Sequence, residues 1–278
     1  MAYEAQFLFP TCRAAGLDVR ASLRNTPRPS GDMREHQEAH PMVVDLSVWE
    51  AGTCLMRTPA FAELKLGDVL VLDESNVPLL THDGPNERLV LARTWLEGGH
   101  GYFPQEHQLT YTHSGRPTHL LYDQLPVGAP DKPTAPIVLL APKVWVGGAV
   151  RTYVAFATAG RDGLEAEPHE VELTILGEDG TCLHTGTLSE RRNGVILVDV
   201  TARLGITDGP LEAPRLVTVG ARGGAAQFAI LTFVVNERTG ACALEHSLSP
   251  HYYAKEGRDR LRAEALVFGN ALRAGGLS

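Results

Sequence analysis

The chain has 278 residues, 44 % of them hydrophobic and 21 % charged, so it can bury a sizeable core and is too apolar for a disordered chain. Its 25 Lys and Arg against 33 Asp and Glu leave a formal charge of -8, which argues against a nucleic-acid binder or an anionic-membrane binder, since both carry basic patches. No run approaches the roughly 20 apolar residues of a membrane span, and Met1 to Gln6 lacks the basic start and apolar run of a secretory signal, so a soluble, cytoplasmic protein is expected.

The predicted elements are short strands. In the first half, alternation of apolar and polar residues marks strands near 5–9, 17–24, 42–49, 53–57, 68–73, 88–97 and 105–112. Arg24 to His40 interrupts them as a polar, proline-bearing loop. The second half reads as strands near 137–146, 149–158, 169–177, 181–188, 194–200, 214–220, 226–236 and 241–248. The 28 glycines and 18 prolines punctuate these runs as turns. Six to eight short strands per half predict an all-β chain of β-sandwiches, immunoglobulin-like or jelly-roll. A helix is expected at the C-terminus, about 254–272, where Leu261, Ala265, Leu266, Phe268 and Leu272 fall largely on one face.

The two halves resemble each other. Val44-Asp45-Leu46-Ser47-Val48 followed by Gly52-Thr53-Cys54-Leu55 matches Val171-Glu172-Leu173-Thr174-Ile175 followed by Gly180-Thr181-Cys182-Leu183. Leu66 to Asp73 resembles Asn193 to Asp199, each a glycine turn entering an aliphatic run. A third pair sets Gly101, Glu106, His107 and Leu109 against Gly240, Glu245, His246 and Leu248. Such matches in the same order predict an internal duplication. Pro126 to Pro136, rich in proline, divides the halves as a stiff connector. The domains are then 1–125 and 137–278, joined by 126–136.

The repeated Glu-His pairs carry the candidate chemistry. Imidazole and carboxylate are ordinary ligands of a divalent transition metal. His107, His113, His246 and His251 form one candidate metal set, and Glu106, His107, Tyr111, Glu245, His246 and Tyr252 one candidate ligand set. The competing reading makes each pair a structural device at a strand end. His36 and His40 have helical ligand spacing, but Gln37 stands where a metalloprotease carries its glutamate base. There is no GxSxG elbow, P-loop or dinucleotide fingerprint. Cys12, Cys54, Cys182 and Cys242 lack CxxC spacing and read as buried thiols. Trp49, Trp95 and Trp145 lie on predicted strands, where they fill a core or line a groove for a sugar or an aromatic ligand.

Two functional classes follow. One is a non-catalytic binding or assembly protein, with a protein partner, self-association, or a small-molecule or glycan ligand, and no evident cofactor. The other is a metal-dependent or acid–base enzyme with a histidine and glutamate site in the interdomain cleft.

Overall fold

The computed structural model describes residues 2–99, 101–102, 106–123, 137–159, 168–206, 213–223 and 227–246. The first half holds β1 (Ala2–Pro10), β2 (Leu17–Arg24), β3 (Met42–Glu50), β4 (Thr53–Leu64), β5 (Val69–Leu72), β6 (Arg88–Glu97), β7 (Gly101–Tyr102), β8 (Glu106–His113) and β9 (Arg116–Asp123). The second holds β10 (Ile137–Val146), β11 (Val150–Ala159), β12 (Pro168–Gly177), β13 (Cys182–Arg191), β14 (Gly194–Asp199), β15 (Arg215–Gly223), β16 (Gln227–Asn236) and β17 (Ala241–His246).

These strands form four sheets. Sheet I has the order β4-β3-β6-β1-β7 and sheet II β5-β2-β8-β9. Sheet III has the order β13-β12-β15-β10 and sheet IV β14-β11-β16-β17. Apart from the two-residue β7, sheet III repeats sheet I strand for strand, and sheet IV repeats sheet II. All pairings but the β1–β7 contact are antiparallel among the described residues. The fold is therefore all-β, with one sandwich topology written twice.

Local sequence sets each face. In β2, Leu17, Val19, Ala21 and Leu23 are buried while Asp18, Arg20 and Arg24 face solvent, the period-2 alternation of a half-covered strand. Across the first sandwich, Phe7 of sheet I meets His107 of sheet II edge-on, ring centroids 4.8 Å apart. Hairpin turns carry the residues their geometry needs. Ser114 and Gly115, between β8 and β9, have φ of 48° and 75°, as a two-residue turn matched to strand twist requires.

Sheet IV is built differently from sheet II. β11 is buried on both faces from Thr152 to Ala159. Val154 and Phe156 join Val144, Leu173, Val219 and Ile230 in the core between sheets III and IV. Tyr153, Ala155, Ala157 and Ala159 point the other way, into a core that also contains Phe7, Leu8, Leu91 and Tyr111 of the first half. Leu231, Phe233 and Val235 of β16 join them, and the Phe233 ring meets Tyr111 at 4.7 Å, edge-on. The alanine row keeps this face of β11 low, so the two halves approach closely and share one hydrophobic core.

Several expectations change. The polar stretch 24–40 is not all loop: α1 (Asp32–Ala39) forms within it. It is held by Gln37, 2 % exposed, whose amide donates to Asn25 Oδ1 and the Thr26 carbonyl at 2.8 Å each. A strand absent from the sequence reading, β9, pairs along β8 from Arg116 to Asp123. A four-residue helical turn, α2 (Val200–Arg203), follows β14, capped by Asp199 accepting the Ala202 N–H at 2.9 Å. Cys54 and Cys182 are exposed rather than buried; Cys12 is the buried thiol. β15 runs on through Gly220 to Gly223, past the strand expected to end at 220. The proline-rich connector 126–136 and the predicted C-terminal helix lie outside the described residues.

Replacing Phe233 by alanine removes a fully buried ring from the shared core, and is expected to cost about 3–5 kcal/mol of unfolding free energy. Chemical denaturation of the wild type and Phe233→Ala measures it, and a loss below ~1 kcal/mol would contradict a continuous core.

Candidate functional site

The structure separates the residues singled out in the sequence. Glu106 and His107 open β8, where they pair with Asp123 and Tyr122 of β9. Glu245 and His246 close β17, where they pair with Thr232 and Leu231 of β16. By strand order β8 corresponds to β16 and β17 to β9, so the two Glu-His pairs are not structural equivalents. The sequence match between them is offset by one strand. Its offset betrays this: 139 residues from Glu106 to Glu245, against 127 from Val44 to Val171.

His107 is a core residue, 1 % exposed. Ser22 pairs with Gln108, which puts His107 beside Leu23 on the inward face of sheet II. Its Nδ1 accepts the Arg24 N–H at 3.4 Å. Burial pushes the imidazole down to about 3, so it is neutral near pH 7. Tyr111, fully buried on the same face, donates its hydroxyl to the Pro10 carbonyl at 2.6 Å and packs on Phe233. His113 reaches across the halves, with Nδ1 3.3 Å from the Gly240 carbonyl oxygen. Six residues of strand put His107 and His113 about 20 Å apart along the chain, too far for one metal ion with bonds near 2 Å. Partial burial raises the Glu245 carboxyl above its ordinary value. His251 and Tyr252 lie outside the described residues. Among the described residues, no three His, Cys, Asp or Glu side chains are placed to share a metal ion.

His36, His40 and His82 also serve the fold. The His36 ring on α1 lies tilted against Tyr3, centroids 5.8 Å apart, and His40 caps the helix with Nδ1 3.7 Å from Glu97. His82 belongs to a buried network that no sequence motif announces. The Thr11 hydroxyl donates to Glu87 at 2.7 Å, accepts the Arg88 N–H at 2.7 Å, and lies 3.0 Å from His82 Nε2. The Glu87 carboxylate also accepts the Arg13 and Ala14 N–H groups at 3.0 and 2.8 Å. Burial lowers the His82 pKa. Hydroxyl, imidazole and carboxylate are all present, yet the carboxylate holds the hydroxyl instead of orienting the far ring nitrogen. A nucleophilic triad needs the latter order, so this set ties the 78–88 segment to the β1–β2 turn.

The junction of the halves carries a cleft of about 260 Å³. It opens on the outer face of sheet I, where cross-strand register builds its floor. Asp45 of β3 stands opposite Arg93 of β6, which stands opposite Gln6 of β1. One row along, Ser47 lies opposite Arg57 of β4 and Leu91 of β6. Trp49, 5 % exposed, donates its indole N–H to Ser47 at 2.9 Å, and the Arg57 guanidinium lies 5.5 Å over its ring. Asn193, from the β13–β14 turn of the second half, completes the wall. It is 2 % exposed with φ of 56°, and its carbonyl lies 3.4 Å from the Gly52 N–H. Asn tolerates that left-handed conformation better than most residues. Trp49 was legible in the sequence as a core or groove residue. Gln6, Asp45 and Arg93 were not, because single polar residues on strands look like ordinary solvent-facing positions.

No known protein family matches the chain, and no curated protein does. Among solved structures it is similar to a glycosyl hydrolase family 2 member from Bacteroides cellulosilyticus DSM 14838, at 10 % identity and a TM-score of 0.19, covering 88 % of this chain and 28 % of that one. A second structure of a family 2 member from Bacteroides cellulosilyticus, from microfluidic crystals, gives 10 % identity and a TM-score of 0.18, covering 88 % and 26 %. The chain spans about a quarter of the length of these proteins. Values at this level assign it no activity.

The buried His107 makes stability pH-dependent in a defined direction. Unfolded, its imidazole takes a proton below about 6.5; folded, it stays neutral down to about 3. Stability is therefore full above 6.5 and falls as pH drops through this window, by up to about 1.4 kcal/mol per pH unit for this group. His107→Ile, which copies the buried Ile230 six residues before the end of the corresponding strand β16, is expected to fold and to flatten that slope. Unfolding free energies measured across the acid range check it; an unchanged slope would place the proton uptake elsewhere.

Proposed function

We propose that the chain is a non-catalytic binding protein whose two sandwiches act as one body and whose ligand site is the cleft at their junction. The carrying observation is the position of Asn193. A buried residue of the second half lines a cleft whose floor is the first half's sheet I, so the site exists only when the halves are docked. Clefts between domains are favoured ligand sites. The placement of His107 and Tyr111 in the core, and of His113 against a backbone carbonyl, supports this reading over the histidine and glutamate enzyme.

A protein partner or second copy has a place to dock. β13 is an edge strand of ten residues with Leu183 exposed, and unpaired strand edges recruit further strands. The exposed thiols of Cys54 and Cys182 suit a reducing compartment, consistent with the cytoplasm. No helix among the described residues is long and apolar enough to cross a membrane.

Elemental analysis of the purified full chain separates the two readings. The binding reading predicts no stoichiometric transition metal and a melting temperature unchanged by a chelator. One equivalent of metal per chain, lost in a folded His113→Ala or His246→Ala variant, would overturn it and favour the enzyme.

A further inference from the structure

The junction cleft has a polar lining of mixed sign. Arg57 and Arg93 supply donors, Asp45 supplies acceptors, and Gln6 and Asn193 carry amides that both donate and accept. The two arginines do not form a free cationic pair. Arg93 is bound by Glu4 at 2.8 Å, and the Asp45 carboxylate stands between the arginines in the strand order β4-β3-β6. A carboxylate or phosphate entering here would meet Asp45 as well as the guanidiniums. A cation would meet the guanidiniums. The lining instead matches a neutral ligand whose groups donate and accept at once.

Two features sharpen the match. Asp45 spends Oδ1 on the Ala60 N–H at 2.7 Å, within a bulge where Ala60 has φ of 48°. That bond fixes the carboxylate's direction and leaves its other oxygen to accept. Gln6 Nε2 is buried without a hydrogen-bond partner; such a donor is costly to leave unmet, and a ligand oxygen at this wall would answer it. Leu91 and Pro59 supply apolar patches beside the polar groups. A volume of about 260 Å³ lies just below the roughly 300–1,000 Å³ of drug-sized ligand sites, and suits one sugar ring.

We infer that the cleft binds a neutral polyhydroxylated ligand of the size of a single sugar ring, with Asp45 accepting from ligand hydroxyls and Arg93 and Gln6 donating to them. The inference rests on the binding reading above and specifies its ligand. The Trp49 ring face is taken by Arg57, so specificity comes from hydrogen bonds to hydroxyls rather than from stacking of the sugar on the indole.

Saturation-transfer NMR and calorimetry on the full chain, with glucose, galactose, mannose and xylose as probes and succinate as the anionic control, test it. At least one sugar is expected to bind with a dissociation constant on the order of 1 mM. That binding should be insensitive to salt, and weaken about tenfold or more in Asp45→Asn and in Arg93→Gln. Asp45→Asn keeps an oxygen for the Ala60 N–H, so it should melt with the wild type, as should Gln6→Leu, a second folded variant expected to weaken binding. No sugar bound at about 100 mM, or binding untouched by all three variants, overturns the inference. Succinate bound in place of sugar, salt-sensitively and through Arg93, overturns the ligand class yet leaves the cleft as a binding site. Only the metal measurement above overturns the binding reading itself.

Discussion

The central strand β11 of sheet IV, buried on both faces, is the constraint from which the rest of the molecule follows. A strand in an ordinary sandwich alternates between core and solvent. β11 alternates between two cores: Val154 and Phe156 face sheet III, while Tyr153, Ala155 and Ala157 face the first half. The corresponding strand β2 keeps Asp18, Arg20 and Arg24 in solvent. One topology, repeated, is thus made asymmetric by which residues occupy the outward positions of a single sheet. At roughly 1.5–3 kcal/mol for each large apolar side chain removed from water, Leu231, Phe233 and Val235 alone give the docked arrangement a clear advantage over separate domains. The docking in turn brings Asn193 onto sheet I and makes the cleft.

Two sets of buried polar groups elsewhere hold the fold. Glu87 binds two backbone N–H groups and a threonine hydroxyl; Gln37 and Asn25 hold the segment that leads into α1. Each such bond contributes about 1 kcal/mol net, but an unmet buried partner costs more, so these sets fix loop positions rather than add much stability. The junction cleft differs because its polar groups lie at an opening; Gln6 Nε2 there lacks a partner, as do His82 Nδ1 and the Thr158, Thr174 and Thr232 hydroxyls in the interior.

Much of the fold was legible from periodicity. Strand positions followed from alternation, the β3–β4 hairpin from Gly52, and the repeat from two segments at one constant offset. β9 escaped because Pro117 and the polar run around it hide its alternation, and α1 because it is short and polar, held by Gln37 through tertiary hydrogen bonds. The site was far less legible. His107 drew attention as a chemical residue, yet a histidine at a strand's inward position is packed like any apolar side chain once desolvation keeps it neutral. Asp45, Arg93 and Gln6 became a constellation only through pairing across three strands far apart in sequence, which no local pattern encodes. The doubly buried character of β11 was present in the sequence as Tyr153-Val154-Ala155-Phe156-Ala157, a run apolar on both faces.

Native-state hydrogen exchange of the β11 amides tests the shared core most directly. If sheet IV is the common layer, the amides that pair β11 to β14 and β16 exchange only through global unfolding, with opening free energies within ~1 kcal/mol of the slowest amides of β3 and β6. Opening of sheet IV at much lower free energy, while sheet I stays protected, would contradict it and leave the halves as two separately stable sandwiches.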